Sequence, residues 1–506
     1  MSADSIKHVF VLMLENRAFD HMLGYSGITG SDAESGEPTK VNGVDGSEVN
    51  TYNGTPYLTK QGADWVMPVD PGHEFLEVLE QLSGPGVAYP SGGAYPPINN
   101  SGFVTSYVAV CAAAQKQSDP GEIMKCYGPN QLPVLNALAR EFVICDRWHA
   151  SMPGPTWPNR MFLHAASSGG LDHSPTTAEI VLWETLNGFQ FSKGTIFDAL
   201  KQKNVSRRLY GGDDFPMLAA LKGIGLDDIR PYHYFAQDLQ DNYLYAYTFI
   251  EPSYNATADY KCSTSQHPLD DVTRGEALIK CTYEAIRNSP IWNNSLLILT
   301  WDEHGGFYDH VVPPEAVAPG DTVPGSSHNQ YGFTFERCGL RVPAVIISPL
   351  IPRNLIDHRL YDHASVPATL EVIFDLQPLT NRDGAAKDLT PLLTLSAPRA
   401  DAPTRLPSPA ESGVGGCPPF SCPGPELMEL ASVTPEVSDP TASVNIGNLP
   451  SVIHAAMRQD LALDPTQKEQ ILAQVSSLRT RGDAAKYLEK VRQKLRAMPG
   501  PASPKA

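Results

Sequence analysis

The sequence predicts a doubly wound α/β fold, a mostly parallel sheet with helices packed on it. The first sign is a set of short β-branched and aliphatic runs, "HVFVLML" (8–14), "EFVICD" (141–146), "LYAYTFI" (244–250), "SLLILTW" (295–301) and "VPAVIIS" (342–348). Their apolarity is continuous rather than alternating, as in parallel strands covered on both faces. The second sign is alternation with helix-like stretches at 132–140, 194–204, 273–289 and 365–376. Composition agrees: 42% of the 506 residues are hydrophobic and 19% charged, enough apolar surface for a large core.

The opening run regains charge at Glu15 and lacks a small-residue cleavage site, so it reads as a buried strand rather than a signal peptide. On this reading the protein is cytoplasmic or exported by a signal-independent route. Residues 26–131 are rich in Gly, Pro and Asn with little periodicity, and read as long insertions around the mouth of a site. The catalytic part is expected to span 1–395. A Pro/Ser/Gly-rich linker follows at 396–430, then a helical region at 431–506. There "SVIHAAMRQDLAL" and the basic stretch 465–498 read as amphipathic helices with a solvated charged face.

Charge and cysteines narrow the partners. With 38 basic and 56 acidic side chains the net charge is −18. Such a surface repels polyanions, which excludes nucleic acid as a natural partner and disfavours tight adsorption to anionic membranes. No apolar run reaches transmembrane length, so no anchor is expected. The eight cysteines show no zinc-binding spacing. Cys417 and Cys422 of "CPPFSC" could close a small staple, or all eight could remain thiols.

In an open parallel sheet, ligands bind beyond the carboxyl ends of the strands. Glu15 and Asn16 follow the first run and Asp146 the second, with Thr156 ten residues further on. Glu251 follows the third run, and Asp302, Glu303 and His304 the fourth. Oxygen ligands converging on one rim would repel one another without a cation among them. Thr156 stands between Pro155 and Pro158 where a helix begins. Locally it is either a helix cap or a rigidly held nucleophile, and Ser151 is the rival hydroxyl.

Four separated segments, "VLMLENRAFDHMLGY", "MPGPTWPNRMFLHAAS", "TWDEHGGFYDHVVPP" and "YDHASVPATLEVIF", occur in one order over about residues 5–380. Together they resemble the phosphoesterase family that includes plant non-specific phospholipases C, bacterial phosphocholine-cleaving phospholipases C and acid phosphatase A-type enzymes. The resemblance implies an alkaline-phosphatase-like α/β/α sandwich with a small C-terminal helical region. It implies that Thr156 is the nucleophile, facing phosphate at a helix N-terminus. It assigns a divalent ion (Ca, Mg, Mn or Zn) to Glu15, Asn16, Thr156, Asp302 and Glu303; the Asp-Glu pair departs from the Asp-Asp of the phosphatase branch.

The resemblance also places His73 near the phosphate and makes His267 the donor to the leaving group. His304 and His310 become phosphate contacts or orienting residues, with His363 beside them. Asp146 would orient a histidine or anchor the nucleophile loop, and Arg160 would pair with a carboxylate or the phosphate. The implied activity is phospholipase C action on glycerophospholipids such as phosphatidylcholine, through a phosphothreonine. The alternative on the same scaffold is a broad acid phosphatase, and a reading of another class is a catalytically silent interaction protein.

Overall fold

Two strands at the middle of one sheet set the frame. His8–Leu14 and Ser295–Trp301 run parallel in full register, His8 opposite Ser295 and Leu14 opposite Trp301. Every residue of the second strand is buried, so both faces of the sheet are covered there. The computed structural model describes residues 3–185, 191–321, 328–418, 420, 422 and 436–497.

The sheet has ten strands. From one edge they run Ile229–Pro231, Arg207–Gly211, Tyr247–Glu251, His8–Leu14, Ser295–Trp301, Ala344–Ile347, Val143–Cys145, Leu355–Asp357, Thr29–Asp32 and Pro38–Lys40. All pairings are parallel except those of Ala344–Ile347 with both its neighbours and that of the edge strand Pro38–Lys40. The run 342–348, expected as a parallel strand, is therefore antiparallel. Its unbroken apolarity reports burial on two faces, and burial carries no information about direction.

The four expected helices form as Pro133–Glu141, Ile196–Gln202, Val272–Arg287 and Ser365–Phe374. Asp271 starts the longest by accepting from the Thr273 N–H at 3.0 Å. From that helix the buried Glu276 accepts the first-turn N–H groups of Val134 and Leu135, each at 2.8 Å. Burial nevertheless pushes its carboxyl up to about 8. The stretch 26–131 supplies two sheet strands as well as the helices Phe75–Ser83 and Phe103–Ala113.

The cysteine expectation needs correcting. Cys417 and Cys422 do not bridge each other: Cys417 pairs with Cys262, and Cys422 with Cys281. Short spacing suggested a local staple, but each thiol meets a partner on the catalytic part at Cα separations of 5.4 and 5.1 Å, inside disulfide range. The chain just before is tied to the same helix: Tyr283 donates to the Pro403 carbonyl and Arg287 to that of Ala402.

Beyond it, Leu449–Leu463, Lys468–Ser477 and Arg481–Arg496 form three helices, so the stretch 465–498 is broken near Leu478. Their apolar faces share one core with Trp157, Met161, Phe215, Met217, Tyr254 and Tyr260. Two of those residues lie on the helix that begins at Thr156.

Candidate active site

Because Leu14 lies opposite Trp301, the residues that follow each strand emerge side by side. Asn16 adopts a left-handed conformation (φ 56°) that turns its backbone N–H onto Asp302 Oδ1 at 3.0 Å. The Glu303 N–H donates to the same oxygen at 2.7 Å, and Arg160 Nε donates to Asp302 Oδ2 at 2.9 Å. The chain then doubles back through Gly305 (φ 66°), where a Cβ would lie 2.1 Å from the Asn16 carbonyl oxygen. Only glycine fits so close an approach.

Both Asp302 oxygens are engaged. In contrast, Glu15 Oε2, Asn16 Oδ1 and Glu303 Oε1 are buried without hydrogen-bond partners. Hard oxygen donors of this kind suit a divalent cation. The electrostatics agree. Burial pushes Glu15 well above the ordinary carboxylate range, with Arg160 opposing and Asp302 adding to the rise. Burial likewise pushes Asp302 up to about 6. A bound cation removes that penalty.

Thr156 opens the helix Thr156–Ala165, all ten residues of which are buried. Asn159 fixes the turn before it: Oδ1 accepts from the Met152 N–H at 3.0 Å, and Nδ2 donates to the carbonyls of Met152, Gly154 and Pro155 at 3.2, 3.0 and 3.0 Å. The Thr156 hydroxyl, on the other hand, makes no hydrogen bond to a described residue. Arg160, one turn on, shares its helix face, and its guanidinium reaches Asp302 and the Leu14 carbonyl (3.0 Å). Thr156 therefore opens the helix whose Arg160 is tied to Asp302. Ser151 is committed elsewhere, its Oγ accepting from the His363 N–H at 3.2 Å.

The histidines divide into groups. His73 Nδ1 meets the Pro71 carbonyl at 2.8 Å, and its Nε2 lies 3.5 Å from Asn16 Nδ2. Burial opposes its charge, but Glu303 and Asp70 outweigh burial and hold it at about 10. His267 lies flat on Tyr260, ring centroids 3.4 Å apart, with Nε2 3.5 Å from Asp70 Oδ2. Burial, then His73 and Arg17, press its pKa well below the usual histidine value. Asp70 is itself pushed up to about 7, mainly by burial. His363 Nε2 donates to the Asp302 carbonyl at 2.6 Å, while Trp148 Nε1 donates to its Nδ1 at 3.3 Å. His304 pairs with Gln81 at 2.8 Å and lies 3.4 Å from Glu303.

Asp146 and His310 belong to another network. Asp146 accepts from the Asn42 N–H at 2.7 Å and pairs with His358 Nδ1 at 2.9 Å. His310 Nδ1 lies 2.7 Å from Asp20 Oδ2, and its Nε2 lies 3.2 Å from the Asn42 side chain. Asp20, Asp309 and His310 offer ligand atoms all within 4.8 Å of one another. The Arg341 guanidinium already lies among them, 2.8 Å from each aspartate. That guanidinium occupies the position a metal ion would take and offsets one of the two carboxylate charges.

Residues that sequence reading passed over complete the picture. Asn159 was inside a quoted motif without a role. Asp70 gave no signal beyond lying three residues before His73. Asn448 gave none at all, yet its Nδ2 donates to Glu15 Oε1. An apolar cavity of about 30 Å³ lies beside Arg160, lined by Trp157, Met161, Met217, Leu218 and Leu221 among others. It has room for about one water.

Residues 6–377 match the Phosphoesterase family. The chain belongs to that family. It is 33% identical over 429 residues to non-specific phospholipase C3 of Arabidopsis thaliana, covering 80% of this chain and 77% of that protein. It is 26% identical over 499 residues to phospholipase C B of Mycobacterium tuberculosis, covering 85% and 88%. Among solved structures, an alkaline phosphatase superfamily protein from Vibrio parahaemolyticus shares 16% identity, with a TM-score of 0.30 over 54% of this chain and 65% of that one. Every residue of the site from Glu15 to His363 falls inside the family match, and Asn448 lies beyond it. Among the described residues, no helix is long and apolar enough to cross a membrane.

Proposed function

We propose that this protein is a metal-dependent phospholipase C that cleaves glycerophospholipids such as phosphatidylcholine to diacylglycerol and a phosphorylated head group. Thr156 is the nucleophile. The observation that carries this reading is the placement of Thr156: the turn before it is fixed by Asn159, and Arg160, one helical turn on, holds Asp302.

Glu15, Asn16, Asp302 and Glu303 would hold a divalent cation together with Thr156; when bound, it supplies a lowered hydroxyl pKa and neutralises phosphoryl charge. Thr156 Oγ1 gives its proton to water and attacks phosphorus in line, and the bond to the diacylglycerol oxygen breaks, leaving a phosphothreonine that still carries the head group. The leaving alkoxide takes its proton from the two histidines that flank Asp70, and His73, held at about 10, is the member that carries it. Water then attacks phosphorus and returns the Thr156 hydroxyl. Arg160 holds Asp302 in place, His363 steadies its backbone, and the first-turn N–H groups of the Thr156 helix face the phosphoryl oxygens. His304 orients Glu303. Asp146 and His310 act on the scaffold around the site rather than on phosphate.

The second reading on the same scaffold is a broad phosphomonoesterase. The deciding experiment compares phosphatidylcholine vesicles with p-nitrophenyl phosphate, using wild type and Thr156→Ala, with and without a chelator. Diacylglycerol release that exceeds phosphomonoester turnover and vanishes with Thr156→Ala or chelation supports the phospholipase. Fast phosphomonoester cleavage with lipid untouched moves the protein to the phosphatase branch. Full activity in Thr156→Ala refutes the nucleophile.

A further inference from the structure

The most distant contact in the site comes from the C-terminal helical unit. Asn448 immediately precedes the helix Leu449–Leu463 and is buried. Its side-chain amide donates to Glu15 Oε1, and its backbone N–H donates to the Tyr260 hydroxyl at 2.9 Å. The Glu15 oxygen that Asn448 does not touch, Oε2, is buried without a hydrogen-bond partner among the described residues. The amide therefore fixes one oxygen of the carboxylate and leaves the other available as a ligand. A carboxylate accepts hydrogen bonds, so the amide nitrogen is the atom that faces it.

The segment is shaped to reach this point. Gly447 is left-handed (φ 50°), and a Cβ there would lie 2.3 Å from the Tyr260 hydroxyl oxygen. No other residue brings the chain so close to that ring without displacing it. Two residues earlier, Asn445 Oδ1 accepts from the N–H and hydroxyl of Thr177, at 3.0 and 3.2 Å. Tyr260 is the ring that lies flat on His267. One short segment thus reaches both the carboxylate cluster and the support of a proposed catalytic histidine.

We infer that Asn448 is a positioning residue for the metal site: the C-terminal unit orients Glu15 for the cation and so completes the active site. The inference rests on the metal reading above. Partners that orient a metal ligand through a hydrogen bond change affinity by about 10- to 100-fold when removed. A residue that merely packs would change stability and leave affinity alone.

The test is calorimetric titration of the full-length apoprotein with Mn²⁺, repeated with Mg²⁺, Ca²⁺ and Zn²⁺, on wild type and Asn448→Leu. Thermal melting of each protein is recorded with and without metal. Expected is a Kd raised about 10- to 100-fold in Asn448→Leu, and a smaller metal-induced rise in Tm than in wild type. A general folding defect lowers both melting curves together and leaves that rise intact. Gly447→Ala, which drives the segment off Tyr260, is the second variant and should weaken binding in the same direction. Wild-type affinity in a folded Asn448→Leu or Gly447→Ala protein overturns the inference. If wild type itself takes up none of the four ions, the metal reading fails and the inference falls with it, a different result from equal binding by both proteins.

Discussion

Changing Asn159 to aspartate tests the clamp on the proposed nucleophile, Thr156, with a perturbation of almost no volume. One oxygen of the new side chain still accepts from the Met152 N–H. The other replaces an amide that donates to three carbonyls, those of Met152, Gly154 and Pro155. At about 1 kcal/mol of net stability for each lost hydrogen bond, the change removes about 3 kcal/mol. Unfolding entropy summed over a chain this long is about 1 kcal/mol per degree, so Tm should fall by about 3 °C.

The catalytic effect should be larger. Three carbonyl oxygens now face an acceptor, and the turn that presents Thr156 must open. A displacement of about 1 Å lowers the rate about 100-fold. Tm by circular dichroism and kcat/KM on p-nitrophenyl phosphate and on phosphatidylcholine vesicles measure the two effects separately. The order matters: a small loss of stability with a large loss of kcat. Wild-type kcat with the stability loss intact would refute the clamp, since the turn would then have opened without moving the nucleophile.

Other expectations are briefer. Arg341→Met leaves Asp20 and Asp309 buried without their cation, which should lower stability by about 3–5 kcal/mol in denaturant titration. Glu276 has a folded-state pKa raised to about 8 by burial. Its contribution to stability is therefore full below the unfolded value near 4.5 and lost as pH rises to about 8, so Glu276→Gln should flatten the fall in Tm across that window. The disulfides close loops of 155 and 141 residues that overlap, so with one intact the other closes only the short ring through 262–281 and 417–422. Removing one should cost about 3 kcal/mol and removing both about 8 kcal/mol, measured by guanidinium unfolding. Equal single and double losses would contradict the shared ring.

The parts legible in sequence were those whose cause is local. The runs 8–14 and 295–301 are continuous apolar segments, and they form the two central strands at the expected residues. Glu15, Asn16, Asp302 and Glu303 follow them directly, so strand register alone brings them together. Strand direction is not local: 342–348 looks like its parallel neighbours because burial, not polarity of the chain, shapes its composition. The disulfides were illegible because thiols a few residues apart each found partners more than a hundred residues away. Asp146 looked like a site residue because it too ends a strand, but its carboxylate turns to Asn42 and His358. Asn448 follows a polar linker and is an ordinary residue in an ordinary loop. Nothing but the folded chain reveals that it touches Glu15.

That contact joins positions 433 residues apart. Its consequence is one of timing. Glu15 leaves the ribosome 433 residues before Asn448. A chain halted in the linker carries every residue of the family match but not the amide that holds Glu15 Oε1. On the inference above, the metal site reaches full affinity only when the C-terminal helices have docked.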